Sequence, residues 1–204
     1  MHYTIETTDD LVELYGAPGE TSLRKVSSKI TDKYRALIES SPFCGLATVG
    51  PEGLDCSPRG DAEACVFILD DTTLVMPDRH GNNRLDSLKN IVRDPRVALL
   101  MLIPGSGTTL RINGTAKISI DPELLDRYAM AGKKPRSIIM ISINEIYFQC
   151  ARAVIRAGLW DSEKHKDPSQ LPSPGSILQD MSQDKIDGKK YDLEWPERAA
   201  ETMW

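Results

Sequence analysis

The chain has 204 residues, 40% of them apolar, and a formal net charge of −5. That length supports one core of ordinary size, and no apolar run reaches the roughly 18 residues that a membrane-spanning helix needs. No dense basic block is present, so neither nucleic acid nor a membrane is an expected partner.

The N-terminus, MHYTIETTDD, has neither a basic start nor an apolar stretch, and a cytoplasmic protein is expected rather than a secreted one. Asp9 or Asp10 caps a short helix through Leu14, which Gly16, Pro18 and Gly19 break. A second helix is predicted from Ser22 to Glu39, with Val26, Ile30, Tyr34, Leu37 and Ile38 on its apolar face. From Phe43 the period changes to that of strands. Phe43–Val49 and Leu54–Gly60 read as a hairpin around Pro51-Glu52-Gly53, and Cys65–Leu69 and Thr73–Met76 as two more strands. Val97–Ile103 reads as a strand buried on both faces. In Leu110–Ile120, Leu110, Ile112, Ala116, Ile118 and Ile120 share one face and Arg111, Asn113, Thr115, Lys117 and Ser119 the other. A helix is expected over Pro122–Met130, a last long strand over Ser137–Phe148, and short helices over Cys150–Ala157 and near Ser176–Met181. The fold class is therefore mainly β: a six- to seven-stranded antiparallel barrel, closed or nearly closed, with peripheral helices. Residues 1–40 form a helical cover, 41–160 the barrel domain, and 161–204 an extension that packs on the barrel or on a partner subunit.

Met76–Pro95 joins a strand end, a polar turn and an amphipathic helix. Leu85, Leu88, Ile91 and Val92 recur at helical spacing, with Asn82 or Asn83 as the cap. A helix start offers unpaired amides and partial positive charge, and Arg79 and Arg84 flank this one. The combination suits a phosphate, although a capped surface helix with two solvated arginines uses the same residues. Within LDCSPRG, the strand period puts Asp55, Ser57 and Arg59 on one face, suited to an anion or to a surface ion pair. Pro58 cannot donate to a ladder, which assigns this strand to an edge or a bulge. Arg111 and Asn113 face solvent or a ligand groove, and Trp160 needs a partner surface. Cys44, Cys56, Cys65 and Cys150 contain no CxxC pair and the histidines are scattered, so no metal site is expected. Reduced, mostly buried thiols are expected instead, and their spacing marks no redox pair. No nucleophile–base–acid pattern, Walker loop or GxGxxG is present, so any chemistry falls to a bound cofactor.

SPRGD at Ser57–Asp61, PDRHGNNRLDSLKNI at Pro77–Ile91, IPG at Ile103–Gly105 and LRINGTA at Leu110–Ala116 occur in order. Together they resemble the FMN-binding split-barrel family related to pyridoxamine 5′-phosphate oxidase, over about residues 40–160. The resemblance implies a homodimer with FMN in a groove between subunits, acting as an oxidoreductase on a small molecule or a nicotinamide donor. On the family pattern, Ser57 and Arg59 fall on the second strand at a phosphate or ring contact, and Arg79, Asn82, Asn83 and Arg84 in the phosphate turn. Met76 and Pro77 fall beside the isoalloxazine edge, and Thr109 and Arg111 on the strand along the ring. Trp160 resembles a late tryptophan that reaches the neighbouring subunit's flavin. The oxidase's C-terminal Arg-x-His is missing, which argues against a vitamin B6 substrate. A non-catalytic flavin module, a relative using deazaflavin or haem in the same groove, and a structural dimer without cofactor are the alternatives.

Overall fold

The computed structural model describes residues 3–203. Seven strands lie among them: β1 (Phe43–Gly50), β2 (Gly53–Gly60), β3 (Phe67–Asp70), β4 (Thr73–Pro77), β5 (Arg96–Leu102), β6 (Thr109–Ser119) and β7 (Ile138–Gln149). They form one antiparallel sheet in the order β2-β1-β5-β6-β7-β4-β3. β2 and β3 remain as edges, so the architecture is the split antiparallel barrel that the strand pattern predicts. Pro58 sits on edge strand β2 opposite Gly45, where its missing N–H leaves no ladder bond unmade on the outer side.

Alternation decides what fills the interior. Cys44 and Leu46 of β1, Leu99 and Met101 of β5, Leu110 and Ile112 of β6, and Ile139, Ile141 and Ile146 of β7 are almost fully buried in one cluster. Each large aliphatic side chain there contributes about 1.5–3 kcal/mol by leaving water. The cross-strand pairs Cys44↔Arg59, Leu46↔Ser57 and Thr48↔Asp55 put the polar residues of β2 on this inner side, at the rim of the core. β5 is not buried on both faces as its composition suggests: Ala98 is half-buried and Leu100 is 48% exposed. Ile120, expected on the inner face of β6, lies beyond the strand end and is exposed.

The register between β6 and β7 shifts at Asn113/Gly114. A Cβ on Gly114 would run into the Ser142 carbonyl. Gly114→Ala is therefore expected to cost about 1–3 kcal/mol, the usual penalty for overpacking. Chemical denaturation at constant m-value measures it. An unchanged midpoint would mean that the bulge relaxes freely.

The N-terminal segment departs from the sequence reading. Helix α1 (Thr8–Tyr15) is capped by Thr7, whose hydroxyl accepts the Asp10 amide, while Asp9 and Asp10 occupy the first turn. The long second helix is broken. α2 (Glu20–Arg24) ends before a stretch in which Ser27 exchanges backbone hydrogen bonds with Ile146 at 3.0 and 2.7 Å. α3 (Asp32–Glu39) then starts afresh with Thr31 as its cap. Pairing to β7 competes with helix here and wins. Only α3 reaches the core, through Tyr34 and Ile38; α1 and α2 bury no residue.

α4 (Asp86–Arg93) lies against the inner side of the sheet, and α5 (Pro122–Arg127) and α6 (Arg152–Ala157) flank β7 in sequence. Beyond them, α7 (Pro174–Met181) pairs with α8 (Gly188–Thr202), a helix the sequence reading lacks. Gly188 and Pro196 read as breakers. In the fold the Asp187 side chain caps α8, and Gly175 and Gly188 allow close backbone approach between the two helices. Lys133 Nζ donates to the Glu201 carbonyl at 2.8 Å, which ties the end of α8 to the loop before β7.

Candidate functional site

Met76–Pro95 behaves differently from its sequence reading. The helix starts at Asp86, not directly after Asn82 or Asn83, because Asn83 and Leu85 are both left-handed, with φ of 59° and 62°. Two such residues interrupt a right-handed helix. Neither Asn82 nor Asn83 caps it. Asn82 Oδ1 instead accepts the Arg84 amide at 3.1 Å in a local turn. The buried face of α4 is Ser87, Asn90 and Ile91, while Leu85 and Val92 are exposed. Asn90 donates to Thr48 Oγ1 at 3.1 Å. The inward face is polar because it meets the polar inner side of β2.

The resulting loop, residues 78–85, forms one wall of a cavity of about 780 Å³; β2 and the start of α4 form others. Ser57, Arg59, Met76, Pro77, Arg79, Asn82, Asn83 and Arg84 all line it. Their surroundings separate their roles. Arg79 is locked: Nε and Nη2 donate to Asp61 Oδ2 at 2.9 and 2.7 Å, and Nη1 donates to the Tyr128 carbonyl at 2.6 Å. Its side chain is 12% exposed and that of Asp61 4%. Arg84 is open, with a 76% exposed side chain and an ion pair of 2.8 Å from Nε to Asp86. Ser57 donates to Asp55 at 3.0 Å, and Ser87 of α4 donates to the same carboxylate at 2.7 Å. This triangle anchors the helix start to β2.

Arg59 lies at the rim of the core. Its Nη1 is 3.8 Å from Asp78 Oδ1, and its Nε is buried without a hydrogen-bond partner. A buried guanidinium N–H left unpaired is costly, and the side chain that carries it lines the cavity and is 27% exposed.

Two further cavity residues escape the sequence reading. Arg136 reaches Asn83 Oδ1 at 3.0 Å from the loop before β7. The basic run Lys133-Lys134-Pro135-Arg136 is its only local signal; the pairing Pro77↔Ile138 brings it to the site. Asp78 is the other. Burial raises the pKa of its carboxyl, with Arg59 and Arg136 opposing that rise. A raised carboxyl destabilises the folded state as pH climbs through the folded pKa, and the effect is absent below the unfolded pKa. Asp78→Asn is therefore expected to raise stability at neutral pH and leave it unchanged well below the ordinary aspartate range. Denaturation midpoints at both pH values test this, and equal or lower stability of the variant at neutral pH would refute it.

Thr109, Arg111 and Trp160 do not line this cavity. Thr109 and Arg111 lie on β6 on the outer side of the sheet, where the Arg111 guanidinium sits 5.3 Å over the Tyr147 ring. Trp160 Nε1 donates to the Ser106 carbonyl at 2.7 Å. The cysteines divide evenly rather than being mostly buried: Cys44 and Cys65 are buried, Cys56 and Cys150 exposed. No His/Cys/Asp/Glu group that could hold a metal ion occurs among the described residues. No helix among them is long and apolar enough to cross a membrane.

The sequence pattern of the family described as pyridoxamine 5′-phosphate oxidase matches residues 30–150, more than half of the chain and almost all of the barrel. The chain belongs to that family. The match runs from just before α3 to just past the end of β7 and leaves the α7–α8 pair outside. Among solved structures, a variant of HupZ from Group A Streptococcus is 18% identical, with a TM-score of 0.50 over 59% of this chain and 99% of that one. An F420 reductase is 22% identical, with a TM-score of 0.42 over 59% and 98%. A FAD-binding protein from Mesorhizobium loti is 13% identical, with a TM-score of 0.42 over 60% and 94%. No curated protein is significantly similar.

Proposed function

We propose that this family member binds FMN in the cavity beside β2 and acts as an oxidoreductase on a small molecule. The observation that carries the reading is the cationic cavity itself: Arg59, Arg84 and Arg136 line a space of about 780 Å³ inside the family-matched segment. That volume lies within the usual range for cofactor sites.

The residues present fit a flavin phosphate at one end and a ring at the other. Arg84 and Arg136 supply exposed guanidinium donors beside Asn82 and Asn83, and hold the phosphate. Arg79 positions the loop through Asp61 and Tyr128 rather than gripping the ligand. Arg59 donates to the ring, next to Met76 and Pro77. A bound flavin supplies reversible two-electron transfer. Burial raises the Asp78 carboxyl above that of an ordinary aspartate, and Arg59, 3.8 Å away, opposes that rise.

A homodimer completes the site. The outer face of β1, β5 and β6 presents Phe43, Gly45, Ala47, Ala98, Leu100 and Arg111 in cross-strand register. Leu100 is half-exposed there, and small residues on either side let a second sheet approach. A partner on this face explains why β5 reads as buried on both sides. It also puts Thr109, Arg111 and Trp160 at the edge of the partner's cavity.

The deciding experiment is the absorption spectrum of the purified protein, followed by mass identification of whatever is released on denaturation. A flavin spectrum and FMN mass support the reading. A protein that stays colourless after incubation with FMN sinks it, and a deazaflavin or haem spectrum would replace the cofactor while leaving the fold intact.

A further inference from the structure

Two helices keep an open face. At helical spacing, Leu11, Val12, Leu14 and Tyr15 share one side of α1, and Asp9, Asp10 and Glu13 the other, with Asp10 bordering Leu14 one turn on. The helix buries no residue, and Val12, Leu14 and Tyr15 are 60%, 64% and 77% exposed. An isolated helix of eight residues is marginal in water, so this apolar side needs a surface to pack on. α6 offers one. Val154 is its buried residue, while Arg152, Ile155 and Arg156 recur on another side, with Ile155 69% exposed. Two arginines around an apolar side chain complement a helix that carries apolar residues and three carboxylates. No ion pair joins Asp9, Asp10, Glu13, Arg152 or Arg156 to another of the described residues.

Both helices leave from one end of β7. α6 begins just past Gln149. The arm that carries α1 is pinned at the same end by the Ser27–Ile146 bonds and by Lys25 Nζ, which donates to Gln149 Oε1 at 3.2 Å. Even so, α1 and α6 of one chain leave each other exposed. That end of β7 pairs with β6 through Thr109↔Gln149 and Arg111↔Tyr147, which extends the cross-strand row Gly45, Leu100, Arg111 of the outer face. Resting on the homodimer reading above, we propose that two copies of this chain exchange their N-terminal arms, α1 of each packing across α6 of the other. The apolar side of α1 covers Ile155, and Asp10 at its border meets Arg156. The contact is isologous, so the dimer forms it twice. α6 leads through Gly158 straight to Trp160. An arm that holds α6 therefore also holds the segment placed at the edge of the partner's cavity.

The test mixes full-length Asp10→Lys with isotope-labelled full-length Arg156→Glu and weighs the species by native mass spectrometry. Each variant alone places like charges together at both copies of the contact, and its dimer dissociation constant by sedimentation equilibrium should rise roughly tenfold. In the mixed dimer both contacts are complementary again, so it should form in excess of the random share and dissociate like the wild type. Leu14→Ser should weaken the dimer as well, yet leave unfolding of the diluted monomer unchanged, because nothing in its own chain buries Leu14. Random mixing, or wild-type affinity in all three variants, would overturn the proposal and leave the α1 face to a different partner. Recovery in a single chain carrying both charge substitutions, without recovery in the mixture, would put α1 on α6 of its own chain and overturn it too. A wild-type protein that is monomeric at every concentration would overturn the homodimer reading itself, whereas a dimer unaffected by these variants would overturn only the arm exchange.

Discussion

Asp61→Ala is expected to lose about 3–5 kcal/mol of folding stability, the penalty for breaking a buried ion pair by removing one partner. Both side chains of the Asp61–Arg79 pair are nearly inaccessible. Removing the carboxylate takes away the acceptor of Arg79 Nε and Nη2 in a low-dielectric site, with the neutral Tyr128 carbonyl still accepting from Nη1. It also removes the acceptor for the Ala62 amide. Urea denaturation of the wild type, both single variants and the double variant gives the coupling between the two residues directly. The double variant should recover part of the loss, since it leaves no charge stranded. A loss below about 1 kcal/mol for Asp61→Ala would place the pair with ordinary surface bridges and contradict its burial. The pair matters to the site because it ties the loop after β2 to the loop of residues 78–85, two walls of one cavity.

Arg84→Ala is expected to weaken FMN binding roughly ten- to a hundredfold, and riboflavin binding little. A charge-assisted hydrogen bond to a phosphate contributes on the order of 1.5–3 kcal/mol, and riboflavin carries no phosphate to lose. Arg84 is suited to this test because its side chain is 76% exposed and its ion pair with Asp86 is local. Its removal should not unfold the protein. Fluorescence titration with both ligands separates the cases. Equal weakening of FMN and riboflavin would move the phosphate elsewhere, Arg136 being the next cation in the cavity. Arg136→Ala belongs in the same series, and the two losses should not simply add if both side chains grip one phosphate.

The strands are legible in the sequence because side-chain alternation is a local property. The pattern Leu110, Ile112, Ala116 is buried as expected, and Pro58 marks an edge strand for a reason confined to its own ring. The sequence also groups residues that the fold brings together, since eight of the eleven named from it line one cavity: Ser57, Arg59, Met76, Pro77, Arg79, Asn82, Asn83 and Arg84. What misleads is local competition between backbone states. Periodicity starts the helix after Pro77 too early because left-handed Asn83 and Leu85 carry no distinctive signature, and leucine there argues for helix. It runs the helix from Ser22 through Ser27 because a single bridge to Ile146 leaves no trace in the apolar pattern.

The amino-acid order alone thus determined the strand content, the edge position of β2 and many of the residues that gather around the loop of residues 78–85. Tertiary structure decided which of those residues are free to act. Arg79 and Arg84 look alike in sequence, yet Asp61, eighteen residues before Arg79, closes one into a buried pair, while Arg84 stays exposed with only a local partner in Asp86. Arg136 and Asp78 meet only because β4 pairs with β7 across a long stretch of intervening chain. Cys65 reaches the start of β1 because its amide donates to the Ser41 carbonyl. Propensity and alternation act over a few residues, whereas charge pairing, burial and pKa depend on neighbours supplied by distant parts of the chain.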